Sequence, residues 1–146
     1  EFMQRIEGFL RAVPRIFPIG IECRNKNYLN EEYFKMLKAN DATHVFSEKQ
    51  YMPPVAELAS SYEAFLGDRI AFRLLGGDRK EIEEKTGERW DRIVDAKDER
   101  PIVLVLRHLL SIGKRITLNV NNHYEGSAPL TIQKILDGIA REGVGP

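Results

Sequence analysis

The chain has 146 residues, 42% of them hydrophobic, which suits one domain or part of one around an ordinary core. Lys+Arg 22 balance Asp+Glu 22, so the formal net charge is zero, which argues against a strongly basic nucleic-acid binder but not against a local patch. One cysteine, Cys23, rules out an intramolecular disulfide, and the lack of an apolar run near the roughly 20 residues of a membrane span, or of a signal-peptide pattern, leads us to expect a cytoplasmic protein without membrane contact.

The expected domain is single and covers residues 1–146. Glu1-Phe2 ahead of Met3 reads as a cloning scar. Ile6, Phe9, Leu10 and Val13 give Met3–Val13 a helical spacing that Pro14 ends. Arg15–Cys23 reads as a first strand. Asn30 is a good N-cap for a helix from Glu31 to about Ala39, with Glu31 and Glu32 where the dipole favours them. Ala42–Glu48 reads as a second strand and residues 49–66 as a longer connection. Arg69–Leu75 is a third strand, closed by Gly76-Gly77. A polar segment to about Lys80–Thr86 is helix or loop, and Trp90, Ile93 and Val94 resume a helical spacing. Pro101–Ile112 reads as a helix capped by Gly113, although Ile102–Leu106 also suits a strand. Arg115–Asn121 is the last strand. Pro129 opens a final helix through Ile132, Ile135, Leu136 and Ile139, and Gly143–Pro146 is a tail. This alternation implies right-handed βαβ units and a parallel α/β sheet. Four strands suffice for a small open sheet or for half of an eight-stranded barrel.

Period-two alternation splits each strand into two faces. One face is apolar and should pack under helices. The other collects Glu22, Arg24, His44, Glu48, Arg73, Asn119 and Asn121, mostly near strand C-terminal ends, where parallel α/β folds build their sites. On the second strand this assignment can slip by one residue. The stretch Asn119–Pro129 stands out most, because three asparagines end a strand before a glycine turn and a helix start, and asparagine is costly to bury unpaired.

The order Glu22-x-Arg24, Arg73-x-x-Gly76, Trp90, Asn121-Asn122 and Gly126-x-Ala128 resembles the YecE-like proteins, a family known as domain of unknown function 72, over about residues 9–140. Tyr28 stands where the family usually has tryptophan, Leu75 where it has the histidine of Arg-x-His-Gly, and Val120 where it has an aromatic residue. The resemblance implies a TIM-type (β/α)8 barrel of which this chain matches the C-terminal half. It implies a fold more than a reaction. We therefore expect half of a TIM-like barrel, four parallel βα repeats, completed by a complementary N-terminal half or by self-association, most simply as a homodimer.

The expected function is binding of a small anionic or sugar-like ligand at the C-terminal ends of the strands. Glu22 would be the base, Arg24 and Arg73 the anion holders, and Glu48, Gly76, Asn119, Asn121 and Asn122 further ligand contacts. The competing readings are an ion-pair network inside the sheet, a Glu partner for Arg73, and turn capping by the asparagines. Two other functions stay open, a non-catalytic assembly module with an inactive inherited site and a nucleic-acid-processing barrel. No spacing among His44, Glu48, His123 and Glu125 is diagnostic of a metal, and no cofactor is indicated. His123 and Glu125 are expected to be solvated, His108 and Trp90 structural, Cys23 packed, Ser47 and Ser127 without a nucleophile's context, and the runs Asp78–Glu84 and Asp95–Arg100 exposed.

Overall fold

The computed structural model describes residues 1–14 and 16–141; the expected strand start at Arg15 and the tail from Gly143 lie outside them. Helices and strands follow in the order α1 (Phe2–Ala12), β1 (Ile19–Ile21), α2 (Glu31–Ala39), β2 (Ala42–Lys49), α3 (Val55–Ser61), β3 (Arg69–Gly76), α4 (Arg79–Thr86), α5 (Arg100–Ser111), β4 (Arg115–Val120) and α6 (Ala128–Arg141). Short 3-10 turns occupy Lys26–Tyr28 and Glu63–Phe65.

The helix starts have local causes. Asn30 accepts from the Tyr33 backbone N–H and opens α2, and Asp78 accepts from those of Lys80 and Glu81 and opens α4. Gly87, left-handed at φ 59°, closes α4. Pro101 in the first turn of α5 settles the Ile102–Leu106 ambiguity as helix. Phe2 belongs to α1, and its ring stacks on Tyr28 with centroids 3.9 Å apart.

All three strand pairs are parallel and the sheet order is β1-β2-β3-β4. Spatial order equals chain order, as when each βα unit of a barrel adds the next strand; a doubly wound sheet reverses direction instead. The fold is α/β and matches half of a TIM-like barrel. β1 and β4 each have a neighbour on one side. Helices cover one face, where Tyr33, Phe34, Phe46, Ile70, Phe72, Leu74, Leu106 and Leu109 are buried. The rings of Phe46 and Phe72 stack across neighbouring strands at 5.1 Å. Among the described residues no helix is long and apolar enough to cross a membrane.

Four expectations are corrected. On β2 the faces are exchanged: His44 and Phe46 are buried against the helices, with His44 packed between the rings of Tyr33 and Phe34 of α2. The register Phe46↔Phe72 and Ser47↔Arg73 puts Ser47, not His44 or Glu48, beside the polar row. Trp90, Ile93 and Val94 are not helical. Glu88 also has a positive φ, 58°, and the amides of Val94 and Asp95 donate to the Glu125 carbonyl at 2.8 and 3.2 Å instead of to a helical turn. Residues 49–66 are not mere connection, because α3 forms there. β1 is also shorter than expected, pairing Ile19–Ile21 with Ala42–His44.

Candidate functional site

The open face of the sheet carries the polar cluster. Glu22 follows directly on β1, Ser47 lies on β2 and Arg73 on β3. Glu22 Oε1 accepts from Arg24 Nε at 2.6 Å and from the Ser47 hydroxyl at 2.7 Å, and its Oε2 accepts from Arg73 Nη1. Burial of Glu22 opposes its charge, but the hydrogen bonds from Arg24, Ser47 and Arg73 outweigh burial and bring its pKa down to about 2. The two guanidinium groups stay accessible, at 46% for the Arg24 side chain and 37% for Arg73. Each therefore has one edge on Glu22 and donors left for solvent or a ligand. Asn119 lies opposite Arg73 in register and is exposed.

The end of β4 holds a second cluster. The Asn121 backbone N–H donates to the Leu74 carbonyl at 2.9 Å and extends the ladder. Asn121 Oδ1 accepts from the backbone N–H of His123 at 3.0 Å and faces the ring Nδ1 at 2.7 Å. His123 Nε2 lies 3.1 Å from Glu83 Oε1 of α4, and Trp90 meets the imidazole edge-on at 4.9 Å. The His123 side chain is 17% exposed, so it is held rather than solvated as expected. Hydrogen bonds from Arg79, then from His123, keep the Glu83 carboxyl below the usual carboxylate range. Asn122 turns away from this group: its Oδ1 accepts from the Ala128 backbone N–H at 2.8 Å and starts α6.

Two expected ligand contacts lie elsewhere. Glu48 Oε2 accepts from the Val55 backbone N–H at 2.8 Å and begins α3, a consequence of the β2 face exchange and of the bulge between Glu48 and Lys49. Gly76 has φ 86°, and a Cβ there would stand 2.2 Å from the His123 carbonyl oxygen, so a close backbone crossing requires the glycine. Both residues line a cleft of about 600 Å³, with Asp78, Lys97 and Tyr124, that none of Glu22, Arg24, Arg73 or Asn119 lines.

Glu125 is also corrected: its side chain is 1% exposed. It accepts from the Lys97 backbone N–H at 2.7 Å, Thr131 Oγ1 at 2.7 Å and Lys134 Nζ at 2.9 Å, tying the 94–97 loop to α6. His108 pairs with Glu63 at 2.9 Å on the surface. His44 Nδ1 meets the Tyr33 hydroxyl at 3.0 Å, and burial pushes its pKa down to about 4. Among the described residues, no group of three or more His, Cys, Asp or Glu is placed to hold a metal ion.

Sequence reasoning set Ser47 and His123 aside and placed Glu83 in an exposed run. Pairing the aromatic residues Phe46 and Phe72 across strands would have put Ser47 beside Arg73. Nothing local signals that Glu83 and His123, 40 positions apart, meet. A family model described as "Protein of unknown function DUF72" matches residues 1–145. No curated protein and no solved structure matches the chain.

Proposed function

The chain belongs to the DUF72 family, and from that premise we propose that it binds a small anionic or sugar-like ligand on the open face of its sheet, at the C-terminal ends of β1, β3 and β4. The observation that carries this reading is the Glu22 network, in which one ionised carboxylate orients two partly exposed guanidinium groups. A carboxylate held at a pKa of about 2 by three donors is a weak proton acceptor at neutral pH. Glu22 therefore acts as the anchor of Arg24 and Arg73 and not as the base that its sequence position suggests. The two arginines hold acceptor oxygens of the ligand, and Asn119 and Asn121 add hydrogen bonds from β4.

The test is thermal stabilisation by small phosphates, carboxylates and sugars. A rise in Tm that disappears in Arg73→Gln and in Asn121→Ala supports the reading; an undiminished rise in both variants overturns it.

Among the described residues β1 and β4 each pair on one side, which favours an accompanying reading, barrel completion by association with a second copy or with a complementary half. Leu104 and Leu110 of α5 and Leu136 of α6 are 56%, 46% and 53% exposed, apolar surface available for such packing. Light scattering that shows a monomer at micromolar concentration overturns it.

A further inference from the structure

The direction of the Asn121 amide follows from its partners. A backbone N–H can only donate, so the atom that accepts from the His123 N–H is the amide oxygen. The His123 ring meets the same oxygen through Nδ1, so the ring hydrogen sits on that nitrogen. The oxygen of Asn121 is thus spent on His123, while its NH2 group remains for the exposed side. His123 is itself fixed by Glu83 at Nε2 and by Trp90 across its edge. A doubly protonated ring satisfies Asn121 and Glu83 together, and a neutral ring satisfies one of them.

Acceptors elsewhere in the row are mostly consumed as well. Glu22 takes three donors, and Ser47 gives its hydroxyl hydrogen to Glu22. What faces outward is the remaining donors of Arg24 and Arg73, the NH2 of Asn121 and the exposed amide of Asn119, so donors, two of them cationic groups, outnumber acceptors. Building on the ligand-binding reading above, we propose that His123 is a positioning residue that holds Asn121 with its NH2 outward, so that this mouth takes a group that only accepts hydrogen bonds. That group is an oxyanion, a phosphate, sulfate or carboxylate, and not a sugar hydroxyl. The charged groups around His123 are Glu83 and, through Glu83, Arg79, both on α4; Trp90 and Gly76 bring no charge.

Sulfate is a suitable probe because it accepts hydrogen bonds and donates none. In 15N NMR of the whole chain, sulfate is expected to shift the Asn121 side-chain NH2 resonances. Its affinity should fall about fivefold in Asn121→Ala, which removes one donor to the anion. His123→Ala should lower sulfate affinity to a similar extent and displace the Asn121 NH2 resonances of the free protein. Tighter binding of sulfate than of acetate would identify a phosphate-like group, and the reverse a carboxylate; either supports the proposal. Wild-type sulfate affinity together with wild-type Asn121 NH2 resonances in His123→Ala overturns the positioning role and leaves the ligand reading standing. Glucose binding as tight as sulfate overturns the oxyanion class. Absence of binding by sulfate, acetate and glucose alike overturns the ligand reading.

Discussion

Glu22 and Glu125 each accept three hydrogen bonds from separate parts of the chain, and they differ in what lies around them. The donors to Glu125 are a backbone N–H, a hydroxyl and an ammonium group, closed off at 1% exposure under α6. Two of the donors to Glu22 are guanidinium groups whose other edges reach solvent. Counting hydrogen bonds makes the two carboxylates look alike. Access separates them: a closed node can only hold the fold together, whereas an open one leaves oriented cations for something else to bind.

The largest test of this contrast is Glu125→Ala. It strands Thr131 Oγ1 and the Lys97 N–H and leaves Lys134 with Glu99 and the Lys97 carbonyl alone, and about 3 kcal/mol of stability should be lost in urea unfolding. A loss below about 1 kcal/mol would erase the distinction between the two nodes. Gly76→Ala drives a methyl into the His123 carbonyl at an unfavourable φ and should cost about 2 kcal/mol, with the His123 resonances displaced in the same sample.

Acidification separates a buried group from an open one. His44, ordinarily at 6.5, is held at about 4, so it stays neutral in the fold. Its contribution is complete above pH 6.5 and is lost as pH falls toward 4, a decline of about 2 kcal/mol that His44→Leu should abolish. Glu22, ordinarily at 4.5, contributes fully above pH 4.5 and loses that contribution as pH falls through about 2. Glu22→Gln should flatten this lower window by about 1 kcal/mol, since the network is partly exposed. Chemical denaturation at stepped pH reads both, and an unchanged low-pH slope in Glu22→Gln would show that the ion pairs contribute nothing. The smallest effect belongs to Lys85→Ala, which breaks an exposed i,i+4 pair with Glu81; a change above about 0.5 kcal/mol would be inconsistent with a solvated surface pair.

Much of the fold was readable from residue order. The Asn30 cap, Pro101, the alternation Ile70–Phe72–Leu74 and the apolar stripe of α6 are local signals, and each element appears close to where they put it. The union of Glu22, Arg24 and Arg73 was also readable, because period two places all three on the polar side of their strands. Glu48 and His44 were misplaced because both faces of β2 are half polar, so its phase depends on its neighbours. Trp90 was read as helical because its spacing to Ile93 and Val94 fits a helix, while the acceptor that prevents one, the Glu125 carbonyl, lies 31 residues beyond Val94.

The sequence by itself determined the alternation of helices and strands and the gathering of charge at strand ends, since both rest on spacings of a few residues. Tertiary structure decided the phase of β2, the burial of Glu125 and the junction of Glu83, His123 and Asn121. These depend on register and on loop closure between residues far apart, where the lowest free energy is set by which partners are left to satisfy a polar group once the sheet has formed.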